Sequence, residues 1–513
     1  MIDDLTLLNK NQRAGREGDQ PGSGNLLQAW LFALDHKRVA VLYFGSISLF
    51  LLLGGLTAAV LRLELMTPPA DFMTQPIFKR LYTSHGLIMV FFGLVPALPA
   101  VFGNYLVPLM IGAKNVAFPR LNLLSWYLYL LAGMLLLFGL LQGGLETGWT
   151  LNIYLSGNYA YPQLLLIGAS IILVSFSSIL LAVNLIATIH KRRAPELIWS
   201  RLPLFVWSIY ISSVMVLLGT PVLIVAILLL LTESRHGLFA PELGGDPILY
   251  QRLFWFYGNQ IAYAVVLPAL GILFELITAF SRRQVFGYRL VVAAFMITGY
   301  LGLFSWGIRL ASSDQDGLLT ITSSFFSMLL GIPFSLVIIS LVLTLYQGDI
   351  RFDSPLWFAL GGLGLILVAG LSGLILSTLA LVPQLHGTYF VTAHVHYAAM
   401  AVLMIALGGL HFWWPKITGR RYPEGLAKAA AIILFLGTNL TFFVQFGLGY
   451  LGLPQNVQVY PQEFLVWQAA SSLGTTILIL GYILPVVYLG GSIFFNQPVT
   501  NPWQAKGLVW ESR

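Results

Sequence analysis

The side chains best suited to chemistry in this 513-residue sequence are its eight histidines. There is no cysteine, which excludes disulfides, thiolate metal sites and iron–sulfur clusters. His36 in Asp35-His36-Lys37-Arg38, His190 at the head of His190-Lys191-Arg192-Arg193, and His236 in a loop read as surface residues. His411, beside Trp413 and Trp414, reads as a structural residue in an interfacial aromatic belt. His85, His394 and His396 are different, because each lies some turns inside a long apolar run. Residues two apart on a helix point about 200° apart, so His394 and His396 cannot hold one metal but can each serve a separate centre on opposite flanks of their helix. Imidazole is a common axial ligand of heme iron. His85 can then close a six-coordinate heme with one of the pair, leaving the other heme an open position. The alternative is polar residues bonding across helices; against it, ionisable groups at membrane depth are costly and usually functional.

The elements that must position them are membrane helices. Only 9% of residues are charged and 58% are hydrophobic, with a mean hydropathy of +0.82, too little charge to clothe a water-soluble globule. Apolar runs of spanning length occur near 40–62, 81–108, 121–141, 163–188, 205–232, 253–279, 288–311, 319–346, 356–381, 389–413, 427–450 and 467–493. They are too long for barrel strands, so the fold class is an all-α, twelve-helix membrane bundle. Residues 1–25 read as a disordered polar tail and 26–513 as one domain. With alternating spans, 21 of the 27 Lys and Arg fall on the side of both termini and 6 on the other. That asymmetry places the termini in the cytoplasm and explains the +7 charge without a nucleic-acid partner. An integral protein of a bacterial inner membrane is expected. On that topology His85, His394 and His396 share one depth near the outer face.

Six segments carry a resemblance: Thr83-Ser84-His85-Gly86, Phe102-Gly103-Asn104-Tyr105-Leu106-Val107-Pro108-Leu109, Ala117-Phe118-Pro119-Arg120-Leu121-Asn122, Gly148-Trp149-Thr150, Gly245-Asp246-Pro247-Ile248-Leu249-Tyr250-Gln251 and Ala393-His394-Val395-His396-Tyr397. In order, they resemble the signature segments of heme-copper oxidase subunit I, the catalytic subunit of cytochrome c oxidases, from about residue 35 to 490. The resemblance implies that His85 and His396 ligate a low-spin heme iron and His394 a high-spin one. It places Arg62 and Trp149 at the low-spin heme's periphery and His386 near an outer magnesium site, with Tyr389 added to the cofactor-contacting set. Heme type, a or b/o, is not legible.

The departures from that pattern are informative. The family's His-Pro-Glu-Val-Tyr aligns to Asn259-Gln260-Ile261-Ala262-Tyr263, and its Trp-Ala-His-His to Trp306-Gly307-Ile308-Arg309. Amide, isoleucine and guanidinium cannot replace three imidazoles around copper, so no distal copper is expected. Tyr263 keeps the place of a cross-linked tyrosine whose partner is gone; packing and a redox or hydrogen-bonding role both remain open. Arg309 is expected to pair with a heme propionate or to attract an anionic ligand. Asn115, Ile261 and Val337 stand where the family's proton routes carry titratable groups, Gln455 and Asn456 where paired arginines hold propionates, and Gly387 where an outer aspartate stands. Pumping by those routes is not expected.

Three functions follow. One is a diheme redox subunit of a respiratory complex, passing electrons from the low-spin to the high-spin heme, which binds or reduces dioxygen or nitric oxide without copper, with Tyr263 and Arg309 beside it. Another is an electron conduit, and a third a structural subunit. Expected partners are lipid, subunits resembling the family's subunits II and III, and cytochrome c, a cupredoxin or quinol as donor. Loop residues Glu242, Asp246 and Arg252 could dock one.

Overall fold

A run of some twenty apolar residues in hydrocarbon has no water to satisfy its amides, so each pairs within its own helix. The computed structural model describes residues 26–69, 71–152, 162–239, 244–308, 317–495, 497–499 and 501–511. The predicted tail 1–25, Glu242, Arg309 and the side chain of His236 lie outside this set. Among the described residues, eleven helices are long and apolar enough to cross a membrane: α1 (His36–Glu64), α2 (Gln75–Met110), α3 (Pro119–Leu141), α4 (Pro162–Lys191), α5 (Leu204–Glu233), α6 (Ile248–Ser281), α8 (Gly317–Leu345), α9 (Ser354–Ser377), α10 (Tyr389–Thr418), α11 (Glu424–Tyr450) and α12 (Gln462–Phe495). Between α6 and α8 stands a shorter apolar helix, α7 (Tyr288–Gly302). Sequential neighbours pack closely, α3 to α6 in one series and α9 to α12 in another, and α6 against α9 and α10 joins the two.

The seventh run is predicted over 288–311, but α7 stops at Gly302. The Asn259 amide on α6 donates to the Gly302 carbonyl, 3.3 Å away, and to Ser305 Oγ at 2.6 Å. A helix leaves its last carbonyls without intrahelical donors, and here a side chain from the neighbouring helix supplies one.

Helix α2 is irregular just past His85, with wide π turns over Ile88–Leu94 and Ala97–Gly103. Pro96 between them has no N–H to give its own turn. The Tyr129 hydroxyl on α3 donates to the carbonyl of Phe92, four residues before that proline, at 2.7 Å.

Two histidines sit deeper than their sequence context suggests. His36 is buried, not on the surface: Asp35 caps α1 by accepting from the Arg38 amide, and His36 Nδ1 donates to the Asn104 carbonyl at 2.8 Å. His411, read from the sequence as structural, is fully buried. Its Nδ1 donates to Leu407 O at 2.7 Å, its Nε2 accepts from Tyr488 Oη at 2.5 Å, and its ring stacks on Phe358. Both are bonded braces between helices, as buried polar groups must be. His190 is exposed, as expected.

Candidate cofactor site

His85 is set by its own four-residue motif. The Thr83 hydroxyl accepts from the Gly148 amide at 2.9 Å, pinning the Gly148-Trp149-Thr150 segment to α2. A Cβ on Gly86 would lie 2.5 Å from Trp149 Cβ, so only glycine lets the indole lie against this turn. Trp149 in turn meets Phe254 and Trp255 of α6 edge to face. Tyr250 Oη donates to Thr150 O at 2.9 Å. Three of the motif segments thus converge on one wall.

The opposite wall is α10. The rings of His85 and His396 are parallel to within 4°, their centroids 6.1 Å apart. His85 Nδ1 donates to the Gly54 carbonyl of α1 at 2.9 Å, and His396 Nδ1 donates to Thr392 O at 2.7 Å. A carbonyl only accepts, so each Nδ1 holds the proton and each Nε2 keeps its lone pair. One metal atom between two imidazoles needs centroids roughly 6 Å apart, two bonds of about 2 Å plus about 1 Å from each nitrogen to its ring centre. The separation and the tautomers fit a single metal held by both rings. Phe442 of α11 stacks on His396 at 4.5 Å.

His394 lies on another flank of α10, against α9. Its Nδ1 is 3.0 Å from Ser372 Oγ, and a Cβ on Gly373 would come 3.1 Å from its Cε1. The structure brings His85 and His396 together and sets His394 apart.

At the end of α1, Arg62 donates through Nη1 to Gln468 Oε1 and through Nη2 to Gln468 O, both at 3.0 Å, while its buried Nε finds no acceptor among the described residues. Gln468 Nε2 donates to Tyr389 Oη at 3.3 Å, so one α12 amide positions both predicted contact residues. Sequence reading missed Gln468, and also Glu64. The Glu64 carboxylate is almost fully buried and accepts from the Phe72 and Met73 amides at 3.2 and 3.0 Å and from Gln458 Nε2 at 2.7 Å. An acidic residue closing an apolar span was the available signal.

On α6, Asn259 is engaged in ending α7, Ile308 is buried beyond it, and Tyr263 packs on Gly302, where an added Cβ would sit 3.0 Å from Tyr263 Cδ2. Arg309 falls outside the described residues. A small, mostly apolar cavity of about 30 Å³ beside Ile261 is lined by Pro96, Pro99, Ala264 and Val265, with Ser178, Ser212 and Ser213 among its walls. Asn115 serves a loop: it donates to Leu34 O at 3.1 Å and accepts from the Val116 amide at 2.8 Å. Val337 is buried in α8. His386 Nε2 donates to Leu376 O at 3.1 Å, and the Gln455 amide donates to the Gly387 carbonyl at 2.9 Å, joining the two loops.

Residues 38–483 match the family model described as cytochrome c and quinol oxidase polypeptide I. The chain belongs to this family. It is 35% identical to cytochrome c oxidase subunit 1 of Thermostichus vulcanus over 96% of this chain and 90% of that one. It is 35% identical to the Cereibacter sphaeroides protein of the same name, over 94% and 90%. To that of Bacillus subtilis strain 168 it is 33% identical over 95% and 79%. A solved heme-copper terminal oxidase superposes with a TM-score of 0.74 at 15% identity, covering 92% of this chain and 86% of that one, which shows a common fold. With eleven apolar helices of spanning length among the described residues, this family member is an integral membrane protein and a subunit of the respiratory oxidase type.

Proposed function

We propose that the chain is a diheme redox subunit of a respiratory complex whose distal copper position is chemically closed. The parallel His85 and His396 rings, 6.1 Å apart with both Nδ1 protons committed to carbonyls, carry this reading. They would hold the six-coordinate heme, with Trp149 as a wall and the unsatisfied Arg62 Nε and the Tyr389 hydroxyl at its edge. His394 would hold the five-coordinate one. When bound, the hemes supply one-electron transfer and, at the open iron position, diatomic ligand binding. Their type, a or b/o, is left to the assay.

The residues that the family resemblance aligns with the distal copper ligands, Asn259, Ile308 and Arg309, do not fit copper. The Asn259 amide nitrogen donates to Gly302 and Ser305, an isoleucine offers no donor, and a guanidinium, cationic and without an acceptor, cannot ligate a metal ion. By the same alignment Tyr263 would be the polar aromatic group of that pocket, and Arg309 would pair with a heme propionate or attract an anionic ligand. Asn115, Ile261 and Val337 stand where the family's proton routes carry titratable groups, so pumping by those routes is not part of this reading. The finer topology belongs to the same reading: α7 completes a twelve-helix domain in a bacterial inner membrane, termini cytoplasmic. Partner subunits resembling II and III and a cytochrome c, cupredoxin or quinol donor complete the complex.

Reduced-minus-oxidised spectra with pyridine hemochrome analysis, taken with and without carbon monoxide, test this. Two hemes per chain are expected, one forming a photolysable adduct, with copper far below stoichiometry. His85→Ala and His396→Ala should each remove the low-spin signal and spare the adduct. Stoichiometric copper, or no heme, overturns the proposal; two hemes without an adduct leave a plain electron conduit.

A further inference from the structure

The three histidines differ in what holds their Nδ1. His85 and His396 each donate to a peptide carbonyl, which can only accept. His394 faces Ser372 Oγ at 3.0 Å, and a hydroxyl can accept or donate. Ser372 is buried on α9, and its oxygen also lies 2.8 Å from Val368 O and 3.0 Å from Ala369 O, the carbonyls of the preceding turn. A hydroxyl has one proton, and a carbonyl can only accept it. With that proton on the helix, Oγ presents lone pairs to the ring and His394 Nδ1 becomes the donor.

We infer that Ser372 is a positioning residue for His394: by spending its proton on its own helix it fixes the tautomer with Nδ1–H toward Ser372 and the lone pair on Nε2, the nitrogen that would ligate a heme iron in the diheme reading. Gly373, the next residue, leaves the imidazole room to lie against α9. Rotating the Ser372 hydroxyl toward the ring would place the proton on Nε2 and close that nitrogen to a metal. The hydroxyl thus makes the His394 ligand weaker in donation and easier to disengage than the two carbonyl-anchored ligands, because a partner that accepts less strongly raises ligand basicity less.

This assignment rests on the diheme reading, and the test separates them. Resonance Raman spectra of the reduced protein report the iron–histidine stretch of a five-coordinate heme, and potentiometry reports each heme's midpoint. In Ser372→Ala the stretch should move to lower frequency, the high-spin midpoint should rise, and retention of that heme on dilution should weaken about 10- to 100-fold. The low-spin heme should be unchanged. Ser372→Thr, which keeps a hydroxyl, should restore all three, a rescue that a packing role for Ser372 would not produce. An unsubstituted protein with a five-coordinate heme whose stretch and midpoint are untouched in Ser372→Ala overturns this assignment alone. An unsubstituted protein without that heme overturns the diheme reading and this inference together.

Discussion

Replacing Asn259 by alanine is the sharpest test of the idea that this side chain ends a helix where the family resemblance leads one to look for a copper ligand. The substitution removes a short bond to Ser305 Oγ, 2.6 Å, and a longer one to Gly302 O, 3.3 Å. The shorter contributes about 1 kcal/mol, and a buried carbonyl left without a donor costs roughly 1–3 kcal/mol more. Ser305 Oγ already lies 3.4 Å from Gly302 O and takes up part of the lost contact, which brings that sum of about 2–4 kcal/mol down to about 2–3 kcal/mol. Local opening of the α7 end then becomes about 30-fold or more easier, since 1.4 kcal/mol is tenfold. Hydrogen–deuterium exchange over residues 300–308 in lipid nanodiscs, beside thermal unfolding, reads both quantities. Unchanged exchange there, with a stability loss below about 0.5 kcal/mol, would refute the reasoning. Asn259→His adds a second check. It keeps a ring N–H for the helix end but should bind no copper, as Ile308 contributes nothing; stoichiometric copper in that variant would show the donor count to be wrong.

Glu64→Ala should cost about 3–5 kcal/mol, because three donors to a buried carboxylate lose their acceptor, and should shift the low-spin heme spectrum through Arg62 two residues away; a thermal midpoint equal to the parent's contradicts this. Gly86→Val drives a branched side chain into Trp149 and should destabilise by about 1–3 kcal/mol while broadening the low-spin Soret band; a folded variant with an unaltered band argues against Trp149 as a wall of that site. Burial, reinforced by Glu424, raises the Tyr422 phenol well above its ordinary value. Its stability contribution is therefore fully present below pH 10 and lost as pH climbs beyond, where only the unfolded chain ionises. Tyr422→Phe should flatten that alkaline decline and cost about 1 kcal/mol at pH 7 for the 3.0 Å bond with Ser354; an unchanged alkaline limb rules the phenol out as its cause.

Hydropathy carries the spans because hydrocarbon imposes one rule on every turn, which is why the predicted and observed bounds of α4, α5 and α9 differ by few residues. The stop of α7 was not legible, since it depends on an amide donated by another helix. The i, i+2 spacing already separates His394 from His396, yet nothing in a sequence states that His85 meets His396 with parallel rings. Gln468 escaped for the same reason, with partners 406 and 79 positions away, and Glu64 in part, since its Gln458 partner is 394 away. His36 misled because its charged neighbours mark a surface, while the Asp35 cap rotates it alone toward Asn104.

The two wide turns of α2 have a practical corollary for anyone mapping faces of this helix. Each regular residue advances a helix by about 100°, and a π turn absorbs roughly one residue beyond the α repeat. Two of them between His85 and Asn104 therefore put a simple helical wheel out by about 200°, nearly half a revolution, at the Asn104 end. Cross-linking or cysteine-accessibility scans begun at His85 will come out inverted below Gly103 unless the phase is reset at Pro96. A one-residue deletion inside 88–103 should be absorbed by regularising one wide turn, whereas the same deletion in α10 would turn His394 and His396 away from their neighbours.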